Sequence, residues 1–218
     1  MKCRGTIFDM DGVLFDTERI YQKIWRQIAN ENGIELGAGF LRAISGTNGA
    51  YMRQIIELYY HVSDGTDIIK ECMKRMRKEL SVCVPMKKGV REILEFFQKN
   101  GIYTAVASSS SMQQIRGNIE KAGLSDYFSK FVSGEEVKHG KPAPDIFLYA
   151  AKKLECIPEE CVVFEDSENG IKAGYAAGCK TVMIPDLIEA SPAILPYCTK
   201  ICRDLLHAKK EVGEYFRI

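Results

Sequence analysis

Apolar and polar positions follow a helical spacing in the first part of the chain. Ile20, Ile24 and Ile28 recur at that spacing and Gly33 ends the pattern, so we predict a helix from about Glu18 to Asn32. The pattern predicts further helices near 50–61 and 66–80 and no convincing strand from 14 to about 84. A helical block therefore follows directly after a short apolar strand, which we predict at 4–8.

After Pro85 the pattern changes to short apolar runs that alternate with helical stretches. This alternation is typical of a parallel sheet covered on both faces, so we predict an α/β fold with a doubly wound parallel sheet. The predicted strands are 103–107, 130–133, 161–165, 180–184 and 199–202, and the predicted helices are 89–100, 112–122, 145–154, 168–177 and 204–215.

Composition narrows the classes of partner. The 218 residues carry 30 basic and 29 acidic side chains, and no basic run indicates nucleic acid. The densest basic stretch, Lys74 to Lys78, is most simply the exposed face of a helix. Eight cysteines form no CxxC pair, which argues against a zinc site. No signal peptide or membrane-length apolar run is recognisable, so we expect a reduced cytoplasmic protein without a membrane partner, as a monomer or weak dimer.

Two acids, Asp9 and Asp11, follow the first predicted strand. Residues two apart in a strand point the same way, so both carboxylates could meet one substrate if the strand relaxes at Gly12. Carboxylates beside buried strand residues are costly unless something binds them, and a divalent cation with a phosphoryl group would do so. The alternative is a turn that closes the strand, since Asp-Gly is a common turn signal.

Polar candidates also follow the next three strands. Ser108 follows the second strand, Lys141 the third, and Glu165 with Asp166 the fourth. In open parallel sheets, ligands collect beyond the carboxyl ends of the strands. We therefore expect these side chains to meet Asp9 and Asp11 at one edge of the sheet.

Four ordered segments resemble a known family. The run from Asp9 to Thr17 (DMDGVLFDT) is similar to the first signature of the haloacid dehalogenase (HAD) superfamily, in its subgroup of β-phosphoglucomutase-like phosphatases. Ala107–Ser109, Lys141–Asp145 and Phe164–Gly170 match the family's later motifs in order. The resemblance implies a Rossmann-like HAD core, for which we expect residues 1–13 and 86–218, and an inserted helical cap domain of residues 14–85.

The two leading acids receive separate roles. A carboxylate can attack phosphorus and form an aspartyl-phosphate, which makes Asp9 the expected nucleophile. Asp11 would protonate the leaving oxygen and then deprotonate the incoming water or hydroxyl. The resemblance implies the same roles, and it implies that the Asp11 backbone carbonyl is a metal ligand. Asp16 follows closely, and we favour it as the cap of the helix that starts near Glu18.

The later motifs supply the phosphate and metal ligands. The resemblance makes Ser108 and Lys141 phosphate ligands, with Ser109 contributing mainly its N–H, although one of the serines 108–111 is expected to cap a helix instead. Mg²⁺ prefers oxygen ligands and usually takes one or two carboxylates. Asp166 is the first choice as a Mg²⁺ ligand beside Asp9 and Asp11, and Glu165 is a second or indirect one.

The acceptor of the phosphoryl group, water or a sugar, depends on the cap loop 44–49. Sugar phosphomutases resemble one another in a Gly-x-Ser-Arg segment there, whereas this chain has Gly46-Thr47-Asn48-Gly49. The missing guanidinium favours a phosphatase because a second phosphate would lack its anchor, although Arg42 or Arg53 could substitute. Thr47, Asn48 and Arg53 are therefore the candidate specificity residues.

The predicted function is Mg²⁺-dependent hydrolysis of a small phosphorylated metabolite, with a sugar phosphate as the expected class. A sugar phosphomutase is the alternative. Dehalogenase and phosphonate-cleaving relatives lack an acid at the position of Asp11. An inactive binding module would need damaged motifs, and the sequence shows none.

Overall fold

A computed structural model describes residues 3–45, 47–82, 84–187 and 189–216 of the protein. Its centre is a six-stranded sheet of order β3-β2-β1-β4-β5-β6 in which every neighbouring pair is parallel. The strands are β1 Gly5–Phe8, β2 Tyr103–Ser108, β3 Lys130–Ser133, β4 Cys161–Glu165, β5 Lys180–Met183 and β6 Lys200–Ile201. The predicted α/β fold with a doubly wound parallel sheet is confirmed.

Alternate strand residues face two separate apolar cores. Phe8 packs on one face, where its ring stacks on Phe164 with centroids 4.5 Å apart. Ile7 faces the other side, in a cluster with Phe147. Helices α5 Val90–Lys99, α6 Met112–Lys121 and α9 Leu205–Phe216 cover the Phe8 face, and α7 Asp145–Lys153 and α8 Glu168–Ala176 cover the Ile7 face. Burial on both faces explains why the central strands are continuous apolar runs.

The segment between β1 and α5 is helical, as predicted. It contains α1 Glu18–Glu31, α2 Phe40–Ile44, α3 Gly49–Tyr60 and α4 Thr66–Val82, and its described part has no strand. These helices enclose their own core, in which the rings of Trp25, Phe40 and Tyr60 meet edge to face. Helix α2 was not predicted because five residues are too short to show a helical period.

The chain enters and leaves the helical segment through two short stretches of backbone that lie side by side. The amide of Asp16 donates to the carbonyl of Pro85 at 2.8 Å, and the amide of Lys87 donates to the carbonyl of Leu14 at 2.9 Å. Phe15 and Met86 form an antiparallel bridge between these hydrogen bonds. The helical segment is therefore joined to the sheet next to the end of β1, where Asp9 and Asp11 lie.

Most predicted element boundaries lie within two residues of those observed, but the predicted cap of α1 is wrong. Thr17, not Asp16, occupies the N-cap position, and neither side chain accepts a capping hydrogen bond from the helix. Asp16 Oδ1 lies between two cations instead, 3.4 Å from Nε of Arg19 and 3.6 Å from Nζ of Lys87. The expected serine cap is confirmed, since Ser111 accepts a hydrogen bond from the amide of Gln114 at the start of α6.

Two further sequence predictions concern cysteines and membranes. The seven described cysteines are free thiols, and six of them are buried, as expected of small hydrophobes in a core; Cys83 lies outside the described residues. Among the helices in the described ranges, none combines the length and apolarity that crossing a bilayer requires.

Candidate active site

The predicted catalytic, phosphate and metal residues lie at the carboxyl edge of the sheet. Asp9 continues β1, and its amide donates to the carbonyl of Phe164 in β4 at 2.9 Å. Ser108 and Glu165 are the last residues of β2 and β4, the two strands that flank β1. Because neighbouring parallel strands end at the same edge, three distant stretches of sequence come together there.

Lys141 is the fixed cation of this edge. Its side chain is fully buried, and its ammonium donates to Asp9 Oδ1 and to Glu165 Oε1, each at 2.5 Å. Burial lowers the pKa of Lys141, but the carboxylates of Asp9 and Glu165 more than offset this, so the pKa lies above its ordinary value. The group therefore stays positively charged at neutral pH.

Glu165 has both carboxylate oxygens engaged. Oε1 accepts from Lys141, and Oε2 accepts from the amide and the hydroxyl of Ser167 at 3.0 and 2.9 Å. The residue is fully buried, and a Cβ on Gly170 would overlap its carboxylate. Gly170, at the start of α8, thus makes room for Glu165. The sequence alone assigned no role to Gly170.

Asp11 is held from two sides. The hydroxyl of Thr17 donates to its Oδ1 at 2.6 Å, and the hydroxyl of Ser110 donates to its Oδ2 at 2.8 Å. Burial raises the pKa of Asp11, while these hydrogen bonds act in the opposite direction. A carboxyl with a raised pKa keeps its proton more readily, which suits a group that must donate one.

Acidic side chains outnumber basic ones among the described residues at this edge. The pKa values of Asp9 and Glu18 are raised to about 8, and the pKa of Asp166 is raised as well, with burial as the largest cause in each case. Neighbouring carboxylates act in the same direction on all three groups, whereas Lys141 opposes the effect at Asp9. Such a surplus of carboxylate oxygen fits a divalent hard cation, which would stabilise the charged forms of these groups.

Gly12 shapes the acidic edge. Its φ of 88° lies in the left-handed region, and a Cβ there would overlap the carboxylate of Asp166. Asp166 therefore lies directly against the loop that carries Asp9 and Asp11. The Asp166 carboxylate must lie this close to the loop if it is to share one cation with Asp9.

The loop after β2 offers hydroxyl and amide groups. Ser108 is buried, and its hydroxyl accepts from the amide of Ser110 at 3.1 Å. Ser133, the last residue of β3, donates its hydroxyl to the carbonyl of Ser110 at 2.7 Å. Ser109, between Ser108 and Ser110 in the sequence, is partly exposed. The loop is thus fixed by one hydrogen bond within itself and by one from the end of β3.

The three candidate specificity residues of the helical segment have different surroundings. The amide of Asn48 reaches the sheet edge, where Nδ2 donates to the carbonyl of Ser109 at 3.4 Å. Thr47 is buried and donates its hydroxyl to the carbonyl of Ile44 within its own segment. Arg53 pairs with Glu57 along α3 and shows no contact with the sheet edge among the described residues. Gly46 lies outside the described residues.

A cleft lies between the helical segment and the sheet edge. Its lining includes Glu18, Arg42, Ser45, Asp166 and Glu168. The guanidinium of Arg42 pairs with the carboxylate of Glu168 across it. Arg42 is the one cation among the described lining residues, and its guanidinium is already paired with a carboxylate on the opposite side of the cleft.

Sequence reasoning missed Thr17 and Ser110 as partners of Asp11. Thr17 belongs to the family-like run and Ser110 to the serine run, so each carried a signal, but neither signal indicated its hydrogen-bond partner. Lys87 was missed as well; it pairs with Asp186 across 2.5 Å beside the edge. No local pattern links these two residues, which lie 99 positions apart.

Comparison with known proteins finds a matching family and several related phosphatases. Residues 6–184 match the family described as haloacid dehalogenase-like hydrolase. A phosphorylated carbohydrates phosphatase of Thermotoga maritima is 34% identical over 179 residues, which cover 82% of this chain and 83% of that protein. A fructose-1-phosphate phosphatase of Escherichia coli is 33% identical and covers 82% of this chain and 94% of its own.

A solved structure shows the same fold. The β-phosphoglucomutase of Clostridium difficile superposes with a TM-score of 0.82 at 21% sequence identity, covering 99% of this chain and 100% of that one. At this level of identity the likeness concerns the fold alone.

Proposed function

The chain belongs to the haloacid dehalogenase-like hydrolases and is a phosphatase of that family; on that premise we propose that it hydrolyses a small sugar phosphate through an aspartyl-phosphate on Asp9. The single observation that carries the mechanism is the buried contact of Asp9 with Lys141, next to an Asp11 that is hydrogen-bonded on both oxygens. We also propose that residues 1–13 and 86–218 form the catalytic core and that residues 14–85 form the cap.

In the first step, a carboxylate oxygen of Asp9 attacks phosphorus and the bond to the leaving oxygen breaks. Asp11 gives its proton to that leaving oxygen, so the sugar departs as an alcohol. In the second step, Asp11 takes a proton from water, the water oxygen attacks phosphorus, and the bond to Asp9 breaks. Inorganic phosphate is released and both carboxyl groups return to their starting forms.

Three groups would hold the transferring phosphoryl unit. Lys141 supplies a positive charge that cannot move away, since its side chain is fully buried. The hydroxyl of Ser108 and the N–H of Ser109 extend the same surface from the end of β2. Fixed donors of this kind stabilise charge that develops on the phosphoryl oxygens without reorganising during the reaction.

The surplus of buried carboxylate oxygen at this edge supports Mg²⁺ as the cofactor. We propose Asp9, Asp166 and the backbone carbonyl of Asp11 as its ligands, because the carboxylate surplus and the close approach at Gly12 bring these groups together. Glu165 acts indirectly, since Lys141 and Ser167 occupy both of its oxygens. When bound, the cation neutralises charge on the phosphoryl oxygens and on the surrounding carboxylates.

The ion pairs that Arg42 and Arg53 form with glutamates support a phosphatase over a phosphomutase. A mutase must hold a second phosphate at the cap, and Arg42 and Arg53 are the residues that could replace the missing motif arginine. Arg42 pairs with Glu168 and Arg53 with Glu57, so each guanidinium is already committed. A monophosphate needs no such anchor.

The experiment that tests this function is a phosphate-release screen over sugar phosphates and nucleotides with Mg²⁺, run beside an assay for β-glucose 1-phosphate isomerisation. We expect free phosphate from at least one sugar phosphate. Glucose 6-phosphate without phosphate release would establish the mutase instead. Asp9→Asn should lose at least about a thousandfold in kcat with its fold intact, and normal turnover in that variant would contradict the mechanism.

A further inference from the structure

We propose that Asn48 is a positioning residue whose side-chain amide, inserted between Gly134 and Gly140, holds the helical segment closed on the loops that bind phosphate. The inference rests on the proposed function for its catalytic consequence, although the contact itself does not. It assigns Asn48 a role different from direct recognition of the substrate.

The side chain of Asn48 does not serve its own helix. Asn48 occupies the N-cap position of α3 with φ −152° and ψ 177°, where asparagine usually accepts a hydrogen bond from the first turn. It makes no such bond. Its amide points to the sheet edge instead, and Nδ2 donates to the carbonyl of Ser109 at 3.4 Å.

Two glycines create the space that this amide fills. A Cβ on Gly134 would overlap Nδ2 of Asn48, and a Cβ on Gly140 would overlap Oδ1. At Gly140 the three nearest atoms to such a Cβ all belong to the Asn48 side chain. Neither glycine adopts a positive φ, so the backbone itself does not require glycine at these positions. At Gly140 the close approach of Asn48 is what excludes a side chain, and at Gly134 a Cβ would also lie 3.2 Å from the Cα and 3.3 Å from the carbonyl oxygen of Ser109.

Two further contacts hold the same stretch of the helical segment. The side chain of Asn169 donates to the carbonyl of Ser45 at 3.3 Å, and Arg42 pairs with Glu168. The helical segment therefore contacts the loops that follow β2 and β3, and the start of α8 next to the loop that follows β4. These are the loops that carry the proposed phosphate and metal residues.

The residues that Asn48 contacts are each adjacent in sequence to a residue that binds Asp11 or Asp9. Its partner Ser109 precedes Ser110, which donates to Asp11. Its neighbour Gly140 precedes Lys141, which donates to Asp9. Closure of the helical segment thus fixes the backbone on both sides of the site.

The test uses Gly140→Ala, which inserts a methyl group where the Asn48 amide lies, with Gly37→Ala as a matched control because nothing lies within 4 Å of a Cβ there. We expect Gly140→Ala to lower kcat/KM for the best sugar phosphate at least tenfold and Gly37→Ala to change it less than twofold. In the double variant Asn48→Ala/Gly140→Ala, removal of the amide should restore activity to the level of Asn48→Ala alone. A double variant whose loss is the product of the two single losses would overturn the proposal.

A second measurement does not depend on turnover. Hydrogen exchange at the amides of residues 49–52 and 134–140 should be faster in Asn48→Ala and in Gly140→Ala than in the wild type or Gly37→Ala. Unchanged exchange in both variants would overturn the contact even in a fully active enzyme. If the wild type hydrolysed no phosphomonoester but the exchange pattern appeared, the proposed function would fail while Asn48 kept its positioning role.

Discussion

The hydroxyl of Thr17 donates a hydrogen bond to the carboxylate of Asp11 across 2.6 Å. Thr17 is fully buried at the N-cap position of the first helix of the inserted segment, and Asp11 lies in the loop that leaves the sheet. The contact therefore ties the group proposed as acid and base to the start of the segment that covers it. Its strength should appear in both the rate and the pH dependence of the reaction.

Replacing Thr17 by Val should lower kcat/KM by roughly 10- to 100-fold, because a hydrogen bond to a charged group contributes about 1.5–3 kcal/mol. The lost bond favoured the ionised form of Asp11, so the pKa of Asp11 should rise. The limb of the pH–rate profile that reports Asp11 should then move to higher pH. Thr6→Val is the control, since Thr6 is equally buried but bonds to the carbonyl of Tyr103. An unmoved limb in Thr17→Val would contradict the assignment of Asp11.

Replacing Lys141 by Met should destabilise the protein by about 3–5 kcal/mol at neutral pH, because it leaves Asp9 and Glu165 buried without their cation. The free energy of unfolding in urea measures this loss. Lys88→Met removes a lysine whose side chain is 68% exposed beside Asp204, and it should cost less than about 1 kcal/mol. Equal losses in the two variants would show that the buried contacts of Lys141 are not structurally important.

Replacing Gly12 by Ala should weaken Mg²⁺ binding at least about tenfold, a loss of roughly 1.4 kcal/mol, because the new methyl group displaces the Asp166 carboxylate. Gly33→Ala is the matched control. Gly33 has a similar positive φ of 68°, but nothing lies within 4 Å of its Cβ position. It should show the conformational strain alone, with unchanged Mg²⁺ affinity by calorimetry. Equal Mg²⁺ affinities in both variants would exclude Asp166 from the metal site.

The metal-free protein should lose stability as the pH rises. Asp9 and Glu18 have pKa values of about 8 in the folded protein against ordinary values of 3.8 and 4.5. The unfolded chain therefore gives up protons that the folded state keeps, and the stability present at low pH is lost up to about pH 8. Thermal unfolding of chelator-treated protein from about pH 5 to about pH 8 measures this slope.

Excess Mg²⁺ should reduce this slope, since a bound cation neutralises the same carboxylates. Sodium chloride at matched ionic strength is the control for general screening and should have a smaller effect. A melting temperature that rises with pH in the chelated protein would contradict the acidic surplus described at the sheet edge.

The sequence predicted the strand and helix pattern well because backbone periodicity is a local property. Tyr103–Ser108 and Cys161–Glu165 were found within one residue as apolar runs, and α2 was missed because it is only five residues long. The cap of α1 was misassigned to Asp16 since a local signal cannot distinguish two adjacent capping residues. The backbone of Asp16 is held by a hydrogen bond to Pro85, which is remote in sequence, and its carboxylate lies near both Arg19 and Lys87.

The sequence by itself determined that Asp9, Ser108, Lys141 and Glu165 would meet, because parallel strands joined by helices bring their carboxyl ends to one edge. Only the tertiary structure decided the partners: Lys141 between Asp9 and Glu165, Thr17 on Asp11, Asn48 between two glycines, and Arg42 on Glu168. Side-chain pairing depends on distances between residues that are remote in sequence. Periodicity and strand order set the edge on which such residues lie, and packing in three dimensions selects which of them touch.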